Sequence, residues 1–146
     1  MNNLARQYLQ QFMRDLSQDH KAWRGLNALL LRQRQAILAR NSEELETINQ
    51  QIFSLYHKLS STGSTRHRLL SALGVSTNNH GVQRLINNLP PAWQDSVGLL
   101  WQQVETQARE AQVANQYNGT LLNMQYDIVQ SILNASEPEN WLYQHR

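Results

Sequence analysis

The chain has 146 residues, a mean hydropathy of −0.60 and no cysteine, with 13 Lys and Arg against 11 Asp and Glu. The length allows one domain with a core of its own, while the missing thiols exclude a disulfide frame and a Cys-bound metal. The bases are interspersed with acids, as in Arg32, Arg34 and Arg40 before Glu43, Glu44 and Glu46, so no concentrated stripe of charge is available for nucleic acid.

Leu9, Leu16, Trp23, Leu30 and Ile37 recur every seven residues, with Phe12 and Leu26 between them and Asp19 and Gln33 interrupting that second row. Heptads sustained in this way predict a helix over about 3–39, packed at a shallow angle on another helix. Gly25 marks a close helix approach. Asn41 or Ser42 can cap a second helix, with Glu43 and Glu44 in its first turn, where the dipole favours them. Leu45, Ile48, Ile52, Leu55 and Leu59 alternate steps of three and four, and the short connection makes the two helices an antiparallel hairpin. Residues 60–65 are linker-like in composition, yet Leu69 and Leu73 stay in phase with Leu59. The reading is a helix over about 42–73, weakened at 60–65 (a break there is the alternative) and ended by Gly74.

Val82, Leu85, Ile86 and Leu89 predict a short helical segment over about 82–88. Pro90 closes it, and Pro91 is suited to the first turn of a last helix, over about 92–135, until Ser136-Glu137-Pro138 stops it. The tail, 136–146, carries Trp141, Leu142 and Tyr143. No segment alternates with period two. The expected fold is all-α: an elongated antiparallel bundle, or coiled-coil hairpin, of three long helices and one short segment, forming a single domain over 1–146.

Within the last helix Asn118-Gly119 is a turn signal. Even so, Val97, Leu100, Trp101 and Val104 before it connect with Leu121, Leu122, Ile128, Val129 and Ile132 after it in unbroken steps of three and four. One helix therefore runs through two poor helix formers. Gly costs about 1 kcal/mol relative to Ala there, so packing or binding must compensate. Beyond Gly119 the apolar band is wider than one antiparallel seam requires. Before it, Ala108, Ala111 and Ala114 offer a smooth surface with Asn115 and Asn118 beside it. Three occupants are open: neighbouring helices, a second copy in a self-associating coiled-coil scaffold, or an amphipathic partner helix laid into the groove.

His20, His57, His67, His80 and His145 include no pair spaced for one helix face. There is no Glu-x-x-His motif and no Gly-rich phosphate loop, so no cofactor, metal or enzyme activity is expected. Residues 1–7 lack a basic region followed by an apolar run, and no stretch approaches the ~18–20 apolar residues of a membrane span. A soluble cytoplasmic protein with no membrane insertion is the expectation.

Asn115-Gln116-Tyr117-Asn118-Gly119-Thr120-Leu121-Leu122 resembles the Asn-x-x-Asn-Gly-x-Leu-Leu segment of the FlgN family, flagellar export chaperones for hook-associated proteins. Two long N-terminal helices, Leu73-Gly74, Leu89-Pro90 and a long last helix follow the family's order. The resemblance implies a chaperone that binds the C-terminal helices of the hook–filament junction proteins, prevents their premature assembly and delivers them to the type III export apparatus. With such a client, the apolar band read above makes Asn115, Asn118, Gly119, Leu121, Leu122, Ile128, Val129 and Ile132 the candidate client-binding residues, with both Asn at the groove rim and Gly119 allowing close approach. Family members also carry a Leu-Tyr-Gly segment whose tyrosine contacts the export gate. Leu142-Tyr143 is similar, which makes Tyr143 the candidate for docking to the gate or to export ATPase complex components, although Gln144 stands in place of the glycine.

Overall fold

A computed structural model describes residues 3–136. All the regular structure among them is helical: α1 (Asn3–Ala39), α2 (Ser42–Ala72), α3 (Asn79–Asn87) and α4 (Pro91–Ser136). α1 is the shared partner, packing along α2 on one side and α4 on the other, while α3 packs chiefly on α4. Cross-helix pairs fix the directions. Arg32 meets Glu44, Gln33 meets Asn49 and Asp19 meets Arg66, so α2 is antiparallel to α1. Asn27 meets Gln107, Leu30 meets Asn118 and Ile37 meets Gln125, so α4 runs parallel to α1 and antiparallel to α2.

The helix ends follow from local chemistry. At the end of α1, Arg40 N–H donates to Ile37 O and Asn41 N–H to Ala36 O, a Schellman closure that places Arg40 at φ 54°. Asn41 then caps α2, its side-chain oxygen accepting from Glu44 N–H at 3.2 Å. At the end of α2 the same closure falls on Gly74 at φ 74°, where glycine carries no Cβ penalty. Residues 60–65 are helical without a break. The Thr62 and Thr65 hydroxyls donate to carbonyls one turn back, and buried Leu59, Leu69 and Leu70 hold both ends of this polar turn to the core. At Gly25, expected to mark a close approach, an added Cβ would meet Leu55 at 3.5 Å, an ordinary contact.

Two groups of buried side chains fill the seams. Phe12, Leu16, Leu70, Val82, Ile86 and Val104 pack at the end where α3 sits, and Leu26, Leu30, Ile48, Ile52 and Ala111 nearer the α1–α2 turn. A polar chain near the α3 end touches all four helices. Asp19 of α1 pairs with Arg66 of α2, whose guanidinium lies 5.5 Å from the Trp101 ring centre on α4, and Trp101 Nε1 donates to Asn79 of α3 at 3.0 Å. Burial pushes the Asp19 carboxyl above its ordinary range, against the lowering effect of Arg66. The Asp19 that interrupts the α1 heptad is thus an ion-paired joint between helices.

Candidate functional site

The site develops from a mismatch of helix lengths. Val97, Val104, Ala111, Asn118, Gln125 and Ile132 form a seven-residue line along α4, the spacing of a seam that faces a neighbouring helix. The first four are buried, in the seam that α1 fills. Gln125 is the last with a partner on α1, its side-chain amide donating to Ile37 O at 2.8 Å. α1 ends two residues later at Ala39, so Ile132 is 63% exposed. From Gln125 to Ser136, α4 continues for roughly 16 Å at 1.5 Å per residue.

Two stripes flank this line at helical spacing. Asn115, Gly119, Leu122 and Tyr126 lie on one side; Tyr117, Leu121, Met124 and Ile128 lie on the other. Apart from half-buried Leu121, all of them are exposed, as is Val129. Leu122, Tyr126 and Val129 line a shallow depression of about 330 Å³ with Arg40 and Gln125. On the other flank the Arg34 guanidinium lies 4.4 Å from the Tyr117 ring centre. Leu31 and Leu38, three residues before and four after Arg34, share its face of α1 and are exposed, Leu38 by 60%. On that flank both helices leave apolar side chains exposed. A helix laid along it would contact both α1 and α4, and one laid beyond Gln125 would continue the line that α1 leaves.

The expected residues divide. Leu121, Leu122, Ile128, Val129 and Ile132 come together on the unfilled part of α4. Asn115 is exposed on the Leu122 flank. Asn118, expected at the rim, is instead 2% exposed. Its Nδ2 donates to Leu30 O at 2.7 Å and to Gln33 Oε1 at 2.9 Å, and its Oδ1 accepts from Arg34 Nε at 3.0 Å. The cause is its place on the seven-residue line, which turns the amide into α1. Gly119 is exposed and a Cβ there would meet nothing within 4 Å, so no helix within the described residues uses the space it leaves. Of the small residues, Ala111 is buried and Ala114 packs against the same core, while Ala108 is half-buried. Tyr143 lies outside the described residues.

Leu31, Leu38, Tyr126 and Arg40 join the site without having been singled out. A signal for the two leucines was present: each follows a heptad position, Leu30 or Ile37, and so widens the apolar face of α1 beyond one seam. Among the described residues no helix is long and apolar enough to cross a membrane.

A family described as FlgN protein matches residues 1–140. The chain belongs to the FlgN family. Its members are flagellar export chaperones that bind hook-associated proteins. No curated protein and no solved structure matches the chain. In this FlgN chaperone α4 outruns α1 and leaves an apolar surface exposed.

Proposed function

We propose that this FlgN chaperone works in the cytoplasm and holds the C-terminal amphipathic helices of hook–filament junction proteins against the distal part of α4. It thereby prevents their premature assembly and delivers them to the export apparatus. The observation that supports this reading is the seven-residue line that α1 fills as far as Gln125 and leaves open at Ile132. Leu121, Leu122, Ile128, Val129 and Ile132 supply the apolar contact, with Asn115 and Gly119 at its edge and Leu31 and Leu38 as the opposite wall. Asn118 acts from inside, fixing the register of α1 on α4, as a buried amide in a helical seam does. Tyr143 is the residue proposed to meet the export gate or an ATPase complex component. Deletion after Pro138 should then spare client binding and impair export; equal export with and without those residues would count against Tyr143.

Burial of one Leu is worth about 1.5–3 kcal/mol, so an arginine on this surface should weaken client binding at least tenfold, about 1.4 kcal/mol. The experiment is a pull-down of client C-terminal peptides with Leu122→Arg or Val129→Arg, with circular dichroism as the folding control. Undiminished capture by a folded variant would remove the surface from the account. A stable dimer that buries the same residues, seen by light scattering, would favour a self-associating scaffold instead.

A further inference from the structure

We propose that the client helix carries an acidic side chain at the edge of its apolar face, and that Arg40 receives it where α1 ends. The inference rests on the client reading above and adds the charge of the partner to it. Three observations carry it. The first is backbone strain beside the site. Arg40 is the one non-glycine residue with a positive φ among the described residues, whereas the matching position at the end of α2 holds Gly74. A left-handed residue with a Cβ lowers stability, and glycine or asparagine takes such a position at less cost. Strain of this kind collects at ligand clamps, where the side chain has a use outside the fold.

The second observation is what surrounds the Arg40 side chain. It is exposed and borders the depression formed by Leu122, Gln125, Tyr126 and Val129. Arg32 meets Glu44 and Arg66 meets Asp19, but no carboxylate of the described residues lies within ion-pair distance of Arg40. Arg34, six residues back, is committed to α4 through Asn118 and the Tyr117 ring. The third observation is the sign of the neighbouring charge. From His20 to Ala39, α1 carries Lys21, Arg24, Arg32 and Arg34 and no acid, and α4 from Ala111 to Ser136 carries a single charge, Asp127. Asp127 lies about 200° round the helix from Gln125, on the side turned away from the seam. A helix that continues the α1 line past Gln125 therefore begins beside a cation and meets no acid on the α4 face beneath it, so an acidic residue there is favoured and a basic one repelled. The hollow at the opposite end, about 410 Å³ and lined by Leu9, Met13, Pro90 and Trp93, also has an arginine at its edge. That residue, Arg6, lies in regular helix, and no strained backbone sets it apart.

The test titrates the unaltered chain, Arg40→Glu and Arg40→Gly with a C-terminal peptide of a hook-associated protein, and with the same peptide after its Asp and Glu are changed to Asn and Gln. Circular dichroism checks that each variant is folded. In about 50 mM salt, where exposed charges are little screened, Arg40→Glu should bind the acidic peptide about three- to tenfold more weakly. Arg40→Gly should also bind it more weakly while melting at a higher temperature, which separates the side chain's use from its effect on the fold. The amide peptide should bind all three forms within about twofold, and salt near 0.5 M should bring the acidic peptide to the same result. Unchanged affinity of folded Arg40→Glu for the acidic peptide overturns the inference and leaves the client reading standing. An equal loss with the amide peptide overturns it as well, because charge is then not the cause. A dimer of the chain that Arg40→Glu dissolves would overturn it in favour of a second copy. A peptide that binds none of the three forms contradicts the client reading, and the inference falls with it.

Discussion

Replacing Asn118 by Ala separates an internal joint from a client contact. The side chain makes three hydrogen bonds to α1, one of them from the Arg34 guanidinium. At about 0.5–1.5 kcal/mol each, and more for the charged donor, their loss amounts to ~2–5 kcal/mol. Gln33 and Arg34 are only half-buried, so water can take over part of their hydrogen bonding. The Leu30 carbonyl lies in the helix interior of α1, where its backbone bond remains. A net loss of ~2 kcal/mol is therefore expected, which for a chain near 150 residues lowers the melting temperature by about 4–8 °C. Thermal melts followed at 222 nm measure it, and titration of the same variant with client peptide should show less than a twofold change in affinity at a temperature where it is folded. An unchanged melt with client binding abolished would refute the reasoning and return Asn118 to the rim.

Arg66→Leu leaves the Asp19 carboxylate buried without its partner, expected to cost about 3 kcal/mol at pH 7. Burial already raises the folded-state pKa of Asp19, and without Arg66 it rises further. The protonated form then favours folding, so the deficit should be full at pH 7 and shrink as pH falls through the raised pKa; urea melts at pH 7 and 4.5 showing the same deficit would contradict this. Gly81→Ala places a Cβ 1.6 Å from Ser76 O, and the displaced backbone should cost about 1–3 kcal/mol in a denaturant melt, an unaltered midpoint being the adverse result. Arg40 holds a left-handed conformation at φ 54°, costly for any residue with a Cβ. Arg40→Gly should raise stability by about 0.5–1 kcal/mol after the extra freedom glycine has when unfolded is counted, and a lower melting temperature would count against it.

Much of the fold is legible in the sequence because long heptads and turn chemistry are local. The line from Leu9 to Ile37 marks the seam side of α1, Asn41 and Gly74 mark helix ends, and the phase across Asn118-Gly119 marks one continuous α4. The candidate site is less legible because exposure depends on where a neighbour stops. Nothing in residues 121–133 says that α1 ends beside Gln125; that follows from the length of α1 and from its parallel register with α4, a tertiary fact. Asn118 shows the same limit. An amide beside alanines reads equally well as a rim group or a buried joint, and only its position on the line through Ala111 and Gln125 decides. Asp19 and Gln33, which look like breaks in the α1 heptad, are polar joints to Arg66 and to Asn49 and Asn118.

Past Gln125, α4 has no α1 beside it, and a helical stretch of that length is marginal in water on its own. Its backbone amides should exchange quickly in the free protein and be protected when a client helix completes the seam. Hydrogen exchange with and without a C-terminal peptide of a hook-associated protein therefore tests the central claim most directly. The expected result is at least a tenfold slowing confined to residues 126–134, with little change near Arg6 and Trp93. Protection centred on that opposite end, or bound peptide with no slowing in 126–134, would contradict the account.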